Sequence, residues 1–148
     1  MMKKLCSVVA AGCLTGVLLV GSAGAQEPGT RIRVSIPFDF TVRGKTFPAG
    51  EYDVTRVMDE PISLLLRNVH NKHDEIVVET EPVIGRKAPN RDELIFNRYN
   101  DSYFLSEIFT AGEQTGEELR PSHQERELKR EMALNQTAPE TVTVAAIN

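Results

Sequence analysis

The 148-residue chain has no tryptophan and only two cysteines, Cys6 and Cys13, both within its first 13 residues. That stretch reads as a removable leader, and the rest of the chain is then free of thiols. This excludes a disulfide, a thiol nucleophile and a cysteine-based zinc site. An oxidising compartment permits disulfides without requiring them. The missing tryptophan removes the widest platform for stacking a sugar ring. There is no Gly-x-Ser-x-Gly elbow and no glycine-rich phosphate loop. The acidic set Glu113, Glu117 and Glu118 lacks the closely spaced Asp and Asn oxygens of a calcium loop. His70 and His73 flank a hairpin turn with no third histidine near, whereas zinc takes three or four protein ligands, so a solvated turn is expected. No catalytic residue, metal site or cofactor motif is identified.

What is present begins with the leader. Lys3 and Lys4 precede an uncharged apolar run, Leu5 to Val20, and Ala23-Gly24-Ala25 supplies small residues for cleavage after Ala25. The run is a little short of the roughly 20 residues that span a bilayer. Cys13 as a lipid-anchoring residue is disfavoured because more apolar residues follow it. Removal of 25 residues from 148 leaves 123, enough for a self-sufficient core. Without Lys3 and Lys4, the 17 basic residues fall to 15 against 21 acidic ones, a formal charge of −6. Such a chain has no electrostatic reason to seek nucleic acid or an anionic membrane.

From Ile32 to Val42 the even positions are all apolar, namely Ile32, Val34, Ile36, Phe38, Phe40 and Val42, and the odd ones are mostly polar. Period two predicts strand. Pro37, which cannot donate to a ladder, predicts a corner where the chain passes from one sheet to the next. Arg43-Gly44-Lys45 and Pro48-Ala49-Gly50 predict turns. Further strands are expected from Tyr52 to about Val57, from Ile62 to Val69 and from Asp74 to Glu81, before a polar loop from Gly85 to Arg91. Glu93–Tyr99 and Ser102–Phe109 form a hairpin about Asn100-Asp101, with Tyr99 opposite Ser102, Arg98 opposite Tyr103 and Phe96 opposite Leu105. Glu113 to Leu119 is read as an acidic loop. Ser122 and Glu125 form a reciprocal capping box for a helix to Leu134 with a narrow apolar stripe. Thr141 to Ile147 is β-prone, but Pro139 and its terminal place predict disorder, with addition to a sheet edge in a complex as the alternative.

Glu107 is the residue with a functional case. It falls in phase with Tyr103, Leu105 and Phe109, and an inward carboxylate is costly unless paired. Either it is a structural ion pair, with Arg98 or Arg56, or a strand end reaching water, or it is an acid in a sheet-lined pocket with Tyr99 and Tyr103 near the rim.

The segments Ile36-Pro37-Phe38-Asp39-Phe40, Gly44 to Tyr52 (GKTFPAGEY), Phe96-Asn97-Arg98-Tyr99 and Tyr103 to Ile108 (YFLSEI) resemble a family of small secreted β-rich proteins from environmental bacteria. Glu125-Arg126-Glu127-Leu128 extends the likeness, which covers about Arg31 to Arg130. It implies an exported β-domain and brings no activity with it.

The expected fold is all-β: about seven short antiparallel strands as a sandwich or a partly open barrel, with one C-terminal surface helix. Residues 1–25 are a cleaved signal, 26–30 a flexible leader, 31–120 the β-domain, 121–134 the helix and 135–148 a disordered tail. The expected function is an exported, non-enzymatic binding or structural module in the periplasm or outside the cell. It would meet another exported protein through a sheet edge, the Gly85 to Arg91 loop or the helix, with no nucleic acid and no membrane span in the mature chain. The alternative is a small-molecule or carbohydrate-binding domain, or a weak hydrolase, using Glu107, Arg98, Tyr99 and Tyr103. A transmembrane barrel is excluded by the arginines on the polar strand faces.

Overall fold

Alternation in Arg31–Ile36 produces β1, whose isoleucines and valine are buried while its arginines and serine face out. β1 pairs antiparallel with β4 (Gly50–Asp59), β4 with β5 (Ile62–Asn68), and β5 with the first half of β6 (Glu75–Ile84). The second half of β6, from Thr80, pairs instead with β9 (Thr115–Leu119), so this one strand carries the chain from one layer into the other. The second layer continues through β8 (Ser102–Phe109), β7 (Glu93–Tyr99) and β10 (Glu140–Ala145). Two short strands, β2 (Phe40–Val42) and β3 (Lys45–Phe47), form a hairpin, and β2 joins β8 by a parallel pairing at Thr41 and Phe104. The computed structural model describes residues 31–147. The expected signal peptide, its cleavage after Ala25 and the leader 26–30 lie outside the described residues.

The fold is therefore mostly β with a single C-terminal helix, α1 (His123–Leu134), as expected. It has ten strands among the described residues rather than about seven, in a mixed sheet. The layers curl over one core in which Val34, Phe47, Tyr52, Leu94 and Phe96 are fully shielded. The two ends of the sheet touch at a single bridge, Val34 with Ala146, and the sheet does not close into a barrel.

The turns follow their chemistry. Arg43 and Gly44, both at positive φ, close the β2–β3 hairpin in two residues, the geometry whose twist suits paired strands. After Pro48, the Ala49 amide donates to Asp39 (2.8 Å) and the Tyr52 hydroxyl donates to the Pro48 carbonyl (2.7 Å). The corner at Pro37 lies between β1 and β2, where the chain leaves β4 for the β8 layer.

Two expectations are corrected. Residues 113–119 contain β9, whose Leu119 is buried in the core; the signal was hidden because Gly116 and Glu117 interrupt the apolar alternation. The tail 135–148 is not wholly disordered: Glu140–Ala145 forms β10 along β7, with half-buried Val142 and Val144 packed on the core. Its β-branched residues found an edge in their own chain.

Candidate functional site

The β7–β8 hairpin turns at Asn100-Asp101, with Asn100 at positive φ, and has the expected register: Tyr99 opposite Ser102, Arg98 opposite Tyr103, Phe96 opposite Leu105. Beyond that point it shifts. Ile95 lies opposite Glu107, so Ser106 is an extra residue in β8, a β-bulge. The alternation reverses there: Leu105 and Ile108 both belong to the core, and Glu107 sits on the other face with Ile95. The inward orientation expected for Glu107 is thereby corrected, because period-two counting assumes an unbroken pleat.

The same shift disperses the other sequence candidates. Arg98 shares Tyr103's face, where its Nε donates to the Asn100 carbonyl (2.8 Å), its Nη1 to Glu140 (3.1 Å), and its guanidinium lies over the Tyr103 ring. Tyr103 is stacked on Phe38 at 3.9 Å between centroids. Tyr99 lies on the face of Asn97 but beneath α1, packed with Phe104, Leu128 and Met132. Its hydroxyl donates to Glu125 (3.3 Å), which also accepts from the Asn97 amide (3.1 Å). Burial first, then the neighbouring Glu125 charge, push the Tyr99 phenol up to about 12. Ser122 caps α1 by accepting from the Glu125 amide (3.2 Å), as expected. The Glu125 carboxylate goes to Tyr99 and Asn97, and this fastens the helix to the sheet.

Glu107 lines a cleft of about 660 Å³ on the outer face of the second layer. Ile95, Asn97 and Glu93 of β7, Thr141 of β10 and Phe109 of β8 line the sheet side, and Val83–Lys87 the other. Phe109 is held by two glycines: a Cβ on Gly85 would come within 2.9 Å of its ring and one on Gly116 within 2.5 Å. The Gly85 amide donates to the Gln114 carbonyl (2.8 Å), and the Gln114 side chain returns a bond to the Gly85 carbonyl (3.0 Å). Burial, and then Glu118 directly across on β9, raise the Glu107 carboxyl above the usual glutamate range. Among the described residues none of Arg86, Lys87, Glu93 and Glu107 forms an ion pair.

A second hollow, about 360 Å³, opens between the layers above Ile32, Val54, Leu64 and Ile108. Its central charges are paired: Arg56 meets Glu117 at 2.5 Å, and Glu117 also accepts from the Thr80 hydroxyl (3.0 Å), while Glu113, which also lines it, has no ion pair among the described residues. Arg56 thus meets Glu117 rather than Glu107. Elsewhere, buried Asp53 lies between Arg33 (2.8 Å) and Arg31, and the Arg33 hydrogen bond leads in holding its carboxyl below the usual range.

The sequence offered a pocket at Glu107 only as the alternative to a structural ion pair or a strand end reaching water, and Asn97, Arg86, Lys87 and Thr141 were missed as its neighbours. Asn97, within the FNRY segment, and the basic pair in the Gly85 to Arg91 loop were visible; what joins them is long-range pairing. No group of histidines, cysteines and carboxylates suited to a metal ion occurs among the described residues. No helix among them is long and apolar enough to cross a membrane. Comparison with known protein families, curated proteins and solved structures returns no match.

Proposed function

We propose that this chain is an exported, non-enzymatic binding domain whose ligand site is the cleft beside Glu107. One observation carries the reading: charges of both signs converge on a concave surface and have no ion-pair partners among the described residues, whereas the other hollow's one cation, Arg56, is paired with Glu117. Clefts of roughly 300–1,000 Å³ with an apolar lining and few polar groups are the usual form of small-ligand sites. Export is supported by Lys3-Lys4, the apolar run and Ala23-Gly24-Ala25, and by the resemblance to small secreted β-rich proteins.

Docking through a sheet edge has less support. β10 covers the edge of β7, and Ala146 just after it bridges to β1 at Val34; among the described residues β3 and the outer side of β10 remain as edges. The apolar stripe of α1 is used on Tyr99 and Phe104. A carbohydrate ligand has little platform in the cleft, since Tyr99 and Phe109 are buried and half-buried Tyr103 is stacked on Phe38. Among the described residues, no histidine, cysteine or serine lines the cleft to work with Glu107 in hydrolysis.

Two-dimensional ¹H–¹⁵N NMR against a panel of small cationic, anionic, zwitterionic and neutral compounds tests the site. The expected shifts cluster at Asn97, Glu107, Phe109 and Thr141. Shifts at Arg56 and Glu117 instead, or none anywhere, would refute it. Mass spectrometry of protein recovered outside the cytoplasm should give a chain beginning at Gln26; recovery with residues 1–25 intact would refute processed export.

A further inference from the structure

The outer face of the first layer is made of the residues that alternate with its core, and strand register sets them in rows. One row reads Arg33, Asp53, Arg67, Glu75, from β1 through β4 and β5 to β6. The next reads Arg31, Thr55, Leu65, Val77 in the same order. Beyond it, Ser63 of β5 lies opposite Glu79 of β6. The face is therefore basic along β1, at Arg31 and Arg33, and acidic along β6, at Glu75 and Glu79. Arg33 is paired with Asp53 and Arg67 with Glu75 inside the sheet, yet the Arg33, Arg67 and Glu75 side chains remain 43%, 44% and 42% exposed and open to a partner. Val77 stands beside them 59% exposed. Thr55 and Leu65 line a hollow of about 330 Å³ with Arg31, Asp53 and Arg67.

A row that reads basic, acidic, basic, acidic is its own complement when reversed. A half-turn about an axis lying in the face and running along the strands performs that reversal. It lays β1 of one copy over β6 of the other, and β4 over β5. Arg33 then meets Glu75, Arg31 lies over Val77 with Glu79 beside it, and Leu65 lies over Thr55 at the hollow, each contact occurring twice. Asp53, only 9% exposed, is taken up by Arg31 and Arg33, so the pairing rests on the margins of the face. A half-turn about an axis across the strands would instead set the β1 arginines against themselves, and like charges across an interface exclude that arrangement. Four strands at roughly 4.8 Å and about six residues at 3.3 Å make a face on the order of 20 Å square, the size of a weak, reversible contact rather than an obligate one.

We propose that this face pairs with a second copy of the chain, β1 over β6, to form a weak, salt-sensitive dimer. The pairing is independent of the cleft, which lies on the second layer and stays open in both copies.

Sedimentation equilibrium and concentration-dependent ¹H–¹⁵N shifts test this up to about 1 mM chain. A dimer should form at about 0.02 M salt, with shifts at Arg33, Leu65 and Val77, and weaken at least about tenfold at about 0.5 M. Val77 is exposed, so its variants should fold. Val77→Lys sets a cation against Arg31 and should weaken association at least about tenfold, whereas Val77→Glu should tighten it. Arg33→Glu and Glu75→Arg should each stay monomeric alone and dimerise when mixed, because the mixed pair alone meets opposite charges at both contacts; a variant that had lost its fold would not recover. A wild-type chain monomeric throughout, a dimer whose shifts fall on β3 or β10, equal effects of the two Val77 variants, or no recovery on mixing overturns the inference.

Discussion

Two carboxylates share the outer face of the β7–β8 hairpin region and have opposite fates. Glu125 descends from α1 onto one end, is 4% exposed, and accepts from Tyr99 and Asn97. Glu107 rises from β8 at the other end, half-buried, with Glu118 as its nearest counterpart across the ladder. Asn97 stands between them, bonded to the first and lining the cleft of the second. A buried carboxylate with donors arranged around it acts as a fastener, since removing either side leaves the other unsatisfied. One placed beside a second carboxylate contributes nothing to folding when ionised. The difference separates an acid tied into the fold from one without an ion-pair partner among the described residues, on a single surface.

Removing Glu125 should expose that difference most. Glu125→Ala leaves the buried Tyr99 hydroxyl and the half-buried Asn97 amide without their acceptor and should cost about 2–4 kcal/mol in urea denaturation, the desolvation of the first plus the lost bond of the second. Equal stability of this variant and Glu107→Gln would erase the distinction. Gly116→Ala comes next. Its Cβ would meet the Phe109 ring at 2.5 Å and the Ile108 carbonyl oxygen at 2.7 Å, an overpacking that should cost about 1–3 kcal/mol and displace the cleft wall. Unchanged stability and unchanged Phe109 chemical shifts would show that the ring is not held there.

The pH response is smaller and has a definite sign. Because Glu107 has its carboxyl raised in the folded state, that state binds the extra proton between the ordinary glutamate range and the raised value. Stability contributed at this site therefore falls as pH rises through that interval and is unaffected below it. Glu107→Gln should flatten this fall relative to the wild type. A difference that instead appeared as a loss of stability on acidification would contradict the assignment. Smallest of all, Glu118→Gln should lower the Glu107 midpoint measured by carboxyl ¹³C titration without abolishing the upward shift, since burial is its first cause and Glu118 its second.

Much of the architecture could be read locally. The alternation of Ile32 to Ile36, the turn residues Arg43-Gly44 and Asn100-Asp101, and Ser122 before α1 each act within a few positions, so their consequences were visible in the chain. β9 was not, because Glu117 faces a distant partner, Arg56, and looks like any solvated acid in sequence. β10 was missed for a related reason: whether Val142 and Val144 pack depends on a free edge at β7. The site was half legible. Glu107 was found by its phase, yet that phase was wrong beyond Ser106, and Arg86, Lys87 and Thr141 join it only through pairings across the fold.

The bulge at Ser106 also bears on how this protein can change. On its turn side, Leu105 must fit a packed interior, and nearly any new volume there is penalised. On its far side, Glu107 faces open space. One supernumerary residue thus turns Glu107 out of the core between Leu105 and Ile108, so this one position can change without renegotiating the interior.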